Sequence, residues 1–168
     1  MAPQSSDGGS VSIRPYVPED KARLVELLRE LQSHERDIEP RMKPPECLGG
    51  AYFDNQLSEI ERYGGAILIA ESDGMACGYA TYMTHCQNDD EEEVECTYAY
   101  VADLAVTAAM RGTGIGRQLL KACEQGARVA GAKVLRISVL SQNESALGLY
   151  RSFGFSDRVT ELEKPLGT

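Results

Sequence analysis

Between residues 94 and 130 the chain changes its period twice. Over 94–106 side chains alternate, with Tyr98, Tyr100, Ala102, Leu104 and Val106 on one face and Ala99, Val101, Asp103 and Ala105 on the other. This pattern predicts a long strand with Asp103 set among apolar neighbours. Residues 107–110 lead into Arg111-Gly-Thr-Gly-Ile-Gly116, and Ile115, Leu119, Cys123 and Ala127 then recur at helical spacing to about residue 130, where Gly131 ends the helix. A strand, a glycine-rich turn and a helix leave several backbone N–H groups free at a positive helix end, a site for phosphate oxygens. Glycine matters there because a Cβ would hold a phosphate away from the backbone.

Spacing separates the classes of anion loop. A dinucleotide loop of the form G-x-G-x-x-G, counted from Gly112 and Gly114, would need glycine where Arg117 stands. A P-loop would need a glycine followed by lysine and a hydroxyl, and the segment has none. What it holds is R-x-x-G-x-G, carried by Arg111, Gly114 and Gly116.

The rest of the chain supplies a mixed set of elements. A polar, flexible tail over 1–9 precedes a short strand at 11–13. A helix begins at 18–20 and places Leu24, Leu27, Leu28 and Leu31 on one stripe. Three prolines and two glycines make 34–50 a loop, read as mobile, and a second helix is expected over 52–63 with Phe53, Leu57 and Ile60 inward. Strands at 66–70 and 76–84 flank an Asp73-Gly74 turn. The acidic run 88–93 is an exposed connection. A strand at 134–140, a helix capped by Asn143 with Ala146, Leu149, Tyr150 and Phe153 aligned, a stop at Gly154 and a last strand at 155–163 complete the chain. The order is β-α-α-β-β-β-α-β-α-β, an α/β (α+β) class in which 10–168 form a single domain.

Charge and cysteines exclude several functions. With 17 basic and 26 acidic residues, the net charge of −9 argues against nucleic acid and anionic membrane surfaces as partners. No stretch approaches a bilayer span and the first ten residues lack the apolar core of a secretory signal, so the expected compartment is the cytoplasm. The charge is divided: residues 1–100 carry 8 basic and 20 acidic side chains, residues 101–168 carry 9 and 6. That division suits an anionic ligand on the C-terminal half and a neutral or cationic one near the N-terminal half. Cys47, Cys77, Cys86, Cys96 and Cys123 form no C-x-x-C pair, and neither His34 nor His85 has a partner at metal-ligand spacing, so the cysteines read as small packing residues and no metal site is expected.

The loop and its context resemble the GNAT superfamily of acyl-CoA-dependent N-acetyltransferases, whose pyrophosphate loop has the form [RQ]-x-x-G-x-[GA]. A second motif supports the resemblance, N-x-x-A-x-x-L-Y-x-x-x-G-F, running here from Asn143 to Phe155. It covers residues 95–165 strongly and the N-terminal helices only in order and length. It implies a mixed, splayed central sheet flanked by helices, with acetyl-CoA entering the splay as cosubstrate. By that resemblance the backbone of Leu104 and Val106 meets pantetheine. Arg111, Gly112, Thr113, Gly114, Ile115, Gly116 and Arg117 cradle the pyrophosphate, and Asn143 and Ala146 flank the pantetheine arm. Homodimers also fit the family.

Acetyl transfer from a thioester to an amine needs a neutral amine, a donor for the developing oxyanion and a proton for the departing thiolate. Tyr150 meets the third need, since phenol and thiol have neighbouring pKa values, although it also shares the apolar stripe of its helix. The glutamate that many relatives carry before the strand aspartate is replaced by Ala102. Asp103 is then a candidate base, or only a hydrogen-bond acceptor. Glu35 and His34, close to the 34–50 loop, are candidates beside the acceptor, or a solvated helix end. The expected function is transfer of acetyl from acetyl-CoA to a primary amine of a small molecule or peptide by direct attack on the thioester. A non-catalytic acyl-CoA sensor on the same fold is the alternative.

Overall fold

The computed structural model describes residues 10–88, 91, 92 and 94–166. The tail over 1–9 and the acidic residues 89, 90 and 93 lie outside the described residues. Five strands make one sheet in the order β1 (Ser12–Pro15), β2 (Gly65–Ser72), β3 (Met75–Gln87), β4 (Thr97–Val106) and β5 (Leu135–Ile137). The first four pair antiparallel and β5 runs parallel to β4. Parallel neighbours need a crossover, here α3 (Ile115–Val129). The turn between β2 and β3 has Asp73 at φ 51° and Gly74 at φ 77°, as a two-residue hairpin with right-handed strand twist requires.

Helices cover both faces. On one, α1 (Lys21–Ile38) and α2 (Gly50–Tyr63) bury Leu24, Leu27, Leu28 and Phe53 against Ile67, Ile69 and Tyr79. On the other, α3 buries Leu119, Leu120 and Cys123, and α4 (Glu144–Phe153) adds Tyr150. β3 therefore has both faces covered and is buried from Ala76 to Thr84. Emptying Leu24, which has no exposed surface, would cost about 2–5 kcal/mol through lost transfer energy and cavity formation.

Five expectations need correction. Residues 34–38 continue α1, so the connection to α2 starts at Glu39. It is tied down by α1: Gln32 donates to the Lys43 carbonyl at 2.8 Å, Arg29 to that of Leu48 at 3.0 Å and Arg36 to that of Met42. The strand expected over 134–140 pairs only at Leu135–Ile137. Residues 155–163 form no strand; Val159 and Leu162 stand in solvent, and alternating apolar residues cannot pair where the neighbouring edge strand offers three residues. Cysteine is a packing residue at Cys77 and Cys123, but Cys47 is exposed.

The fifth correction concerns β4. Thr81 pairs with Asp103 and Tyr82 with Val101, which leaves Ala102 as a bulge. The bulge switches faces: Val101 packs with the α3 cluster while Ala105 packs with α1 and α2, so the expected common face of Ala99, Val101, Asp103 and Ala105 breaks at 102. It also switches hydrogen-bond direction. Before it, Ala99 donates toward β5, to the Val134 carbonyl at 2.8 Å; after it, Thr107 donates toward β3, to that of Cys77 at 2.8 Å. Alternation then turns the N–H and C=O groups of Leu104 and Val106 away from β3, where β5 has already ended. The sheet splays there.

Candidate active site

The splay opens into a cavity of about 680 Å³ walled by β4, α1, the glycine turn, β5 and α4. At one end Gly114 takes φ 90° and serves as N-cap of α3, so the N–H groups of Ile115, Gly116 and Arg117 have no acceptor inside the helix. Positive φ is why glycine stands at 114. At 116 a Cβ would sit 3.2 Å from the end of the Leu149 side chain of α4, which would have to give by a few tenths of an ångström. Arg111 donates from Nε to the Val106 carbonyl at 3.1 Å, which aligns the turn with the open strand edge. Arg117 donates to Ser152 in α4, at 2.7 Å to its hydroxyl. Glu30 of α1 accepts from the Thr107 hydroxyl at 3.0 Å and from the Ala108 N–H at 3.0 Å, fixing the start of the turn from the opposite face.

Most residues singled out from the sequence meet at this cavity. Leu104, Val106, Arg111, Gly112, Gly114 and Ile115 line it, as do Gly116, Arg117, Asn143, Ala146 and Tyr150. Thr113 does not; its hydroxyl turns back to the Met110 carbonyl at 2.7 Å. Asn143 caps α4, accepting from the Ala146 N–H at 3.1 Å. Gly154, at φ 112°, closes that helix, and the Phe155 N–H reaches the Tyr150 carbonyl at 3.0 Å. Phe155 then meets the Tyr150 ring edge-on at 5.9 Å. Tyr150 is 9% exposed, and burial, with Glu35 adding its negative charge, pushes the phenol up to about 12. It keeps its proton at neutral pH.

The other end is acidic. His34 and Glu35 from α1 and Asp103 from β4 line it, with Met42 and Leu48 from the tethered loop. Burial raises the Glu35 carboxyl above its ordinary range. Asp103, 8% exposed, is pushed up to about 6, first by burial, while a hydrogen bond from Tyr52 opposes the shift and the charge of Glu35 adds to it. The Tyr52 hydroxyl donates to Asp103 Oδ1 at 2.7 Å. Tyr52 escaped sequence reading: it lies at the start of α2, 51 residues from its partner, and nothing local distinguishes it from the apolar residues around it.

The site thus combines a glycine-turn helix end with two nearby arginines, a strand edge left open by β5, the buried Asp103 and the half-buried Glu35. Residues 63–157 match the family described as Acetyltransferase (GNAT) domain. The thialysine N-epsilon-acetyltransferase of Sus scrofa is 36% identical over 160 residues, covering 92% of this chain and 88% of that protein. The L-methionine sulfoximine/L-methionine sulfone acetyltransferase of Salmonella typhimurium is 30% identical over 106 residues, 61% of this chain, and the match spans 59% of that relative's length. Among solved structures, yncA from Salmonella typhimurium with its cofactor acetyl-CoA shares the fold at a TM-score of 0.68 and 23% identity, covering 88% of this chain and 80% of that one. The chain belongs to the GNAT acetyltransferase family.

Proposed function

We propose that this protein is an N-acetyltransferase that moves an acetyl group from acetyl-CoA to a cationic primary amine of a small molecule or peptide. The observation that carries the reading is a single cavity with opposite chemistry at its two ends: arginines and free N–H groups at one, Glu35 and Asp103 at the other. The first end fits the cosubstrate, because glycines at 112 and 114 have open space around them and the Leu104 and Val106 backbone offers an extended pantetheine arm an edge that β5 leaves open, with the Val106 carbonyl taken by Arg111. When bound there, acetyl-CoA supplies an activated thioester.

The chain's residues then divide the work. The Arg111 to Arg117 turn holds the pyrophosphate by N–H donors and charge. A backbone N–H of the open β4 edge polarises the thioester carbonyl. Asp103 receives a proton from the amine, which arrives charged because an alkylamine titrates near 10. Tyr150 donates its proton to the departing sulfur and is reprotonated from solvent. The named activities of the relatives above, on thialysine and on methionine derivatives, support an amino-acid-sized acceptor.

The test combines binding with turnover. Protein purified free of CoA should gain thermal stability with acetyl-CoA, equivalent to ~2.7 kcal/mol at about 100 times Kd. It should also release CoA with acceptors from a panel of thialysine, lysine, methionine sulfoximine, cadaverine and butylamine. Binding without turnover on any amine would favour the sensor; absence of any thermal shift at millimolar acetyl-CoA would overturn both.

A further inference from the structure

The two oxygens of Asp103 have different surroundings. Oδ1 accepts the Tyr52 hydroxyl, whereas Oδ2 is buried with no hydrogen-bond partner among the described residues. An unpaired buried acceptor costs about 1–3 kcal/mol, more when charged, so a purely structural Asp103 would be a poor solution for a core strand. Tyr52 itself is well held. It sits in the first turn of α2, its N–H donating to the Gly49 carbonyl at 3.0 Å, and its ring packs edge-on at 5.6 Å against the fully buried Phe53. Burial and the neighbouring carboxylate raise its phenol far above the ordinary range, against a hydrogen bond from the Gln56 side chain that lowers it, so Tyr52 keeps its proton and donates it in the bond to Oδ1.

We infer that Tyr52 is a positioning residue for deprotonation of the acceptor: by holding Oδ1 in a hydrogen bond it fixes the Asp103 carboxylate so that Oδ2 takes the proton of the incoming ammonium. The inference rests on the acyl-transfer reading above. One N–H bond of R–NH3⁺ breaks and one O–H bond forms on Oδ2, directly or through one water, leaving a neutral amine with a free lone pair and a neutral carboxylic acid. The Tyr52 proton stays on Tyr52.

The titratable groups coupled to Asp103 come from three elements. Glu35 on α1, Tyr52 on α2 and Tyr79 on β3 act on it or are acted on by it, and His34 of α1 and Tyr150 of α4 line the same cavity, while Arg111 and Arg117 lie at its glycine-turn end. The Tyr79 hydroxyl is also buried without a partner among the described residues, and burial together with Asp103 keeps it protonated. Only two neighbours pull the Asp103 carboxyl in opposite directions. Tyr52 favours the carboxylate by donating to it, and Glu35 disfavours it by charge.

Carbon NMR titration of Asp-labelled protein reads Asp103 without any acceptor, and kcat against pH with the best amine of the panel reads its role. Tyr52→Phe should move both the Asp103 titration and the acid limb of kcat upward by about one pH unit, because a donor to the charged form is gone. Glu35→Gln should move both downward, and Asp103→Asn should remove the limb. Unchanged acetyl-CoA KM and a cooperative thermal transition in Tyr52→Phe confirm that the site is intact. If Asp103→Asn removes the limb while Tyr52→Phe moves neither the titration nor the limb, the role of Tyr52 falls and the base assignment stands. If Asp103→Asn keeps the limb, or the titration moves without it, Asp103 is not the proton acceptor and both fall.

Discussion

The two ends of the cavity are built by different means. The glycine-turn end relies on backbone: N–H groups of three successive residues, a strand edge left open by β5 and a left-handed glycine, all within 104–117 of the chain. The acidic end relies on side chains from elements far apart in sequence, Glu35 on α1, Tyr52 on α2 and Asp103 on β4. A backbone site recognises what every acyl-CoA shares and tolerates side-chain drift. A side-chain site can change its ligand with one substitution. The difference teaches where specificity resides, and each experiment below breaks or sharpens it.

The largest expected effect lies on Tyr150, which the ends share. Tyr150→Phe keeps the ring contact with Phe155 and removes the proton donor, so kcat should fall on the order of 10²- to 10⁴-fold with acetyl-CoA KM little changed. Stopped-flow or single-turnover CoA release isolates the chemical step. An equal loss in acetyl-CoA affinity would mean that the hydroxyl belongs to the binding surface.

Asp103 makes the acidic end unstable by design of its burial, and stability should show it. The folded protein holds its proton to about pH 6, while the unfolded chain releases it near 3.8. Within that window folding takes up a proton, so this group's contribution falls as pH rises, by up to about 3 kcal/mol in all. Urea unfolding of Asp103→Asn should therefore lose that pH dependence, and the variant should be more stable than wild type above pH 6. A stability difference that does not change between pH 4 and 7 would show Asp103 to be better solvated than its surroundings indicate.

The same contrast explains what could be read from residues alone. Arg111, Gly114, Gly116, Asn143 and Tyr150 were legible because a backbone cradle demands residue types at fixed local spacing, and the structure places all five on the cavity wall. The helix stripes of α1 and α3 were legible for the same reason. The bulge at Ala102 was not, since alternation in β4 continues in burial straight through it while the face changes. Nor was Tyr52, whose role exists only once α2 crosses β4. The end of the chain misled in the opposite way: 155–163 has strand-like residues, but pairing depends on an edge that local sequence does not describe.

At the glycine-turn end, Gly114→Val should raise acetyl-CoA KM about tenfold or more and leave the acceptor KM in place. The substitution forces a β-branched side chain to φ 90° and puts a side chain where phosphate oxygens approach the N–H groups. Arg111→Ala should act on the same constant by loss of charge, and its effect should shrink with salt where that of Gly114→Val does not. If the acceptor KM rises equally in either variant, the two ends are not separate sites.

Glu30 gives the smallest and most discriminating effect, because it touches neither end of the cavity yet joins the elements that form them. Its carboxylate reaches from α1, the helix of His34 and Glu35, to Thr107 and Ala108 at the entry to the glycine turn, 77 and 78 residues away. Glu30→Gln keeps one acceptor oxygen and loses the charge that strengthens both bonds, a change of about 1 kcal/mol, or roughly fivefold in an affinity. If the carboxylate sets the angle between helix and turn, both KM values should rise, acetyl-CoA's by that factor and the acceptor's by less, since three further hydrogen bonds from α1 hold the acceptor loop independently. Thr107→Val removes one of the same bonds from the other side, so in the double variant the two effects should add to less than their sum. A drop in melting temperature with both KM values unmoved would make Glu30 a stability contact and leave the backbone end and the side-chain end of the cavity mechanically independent.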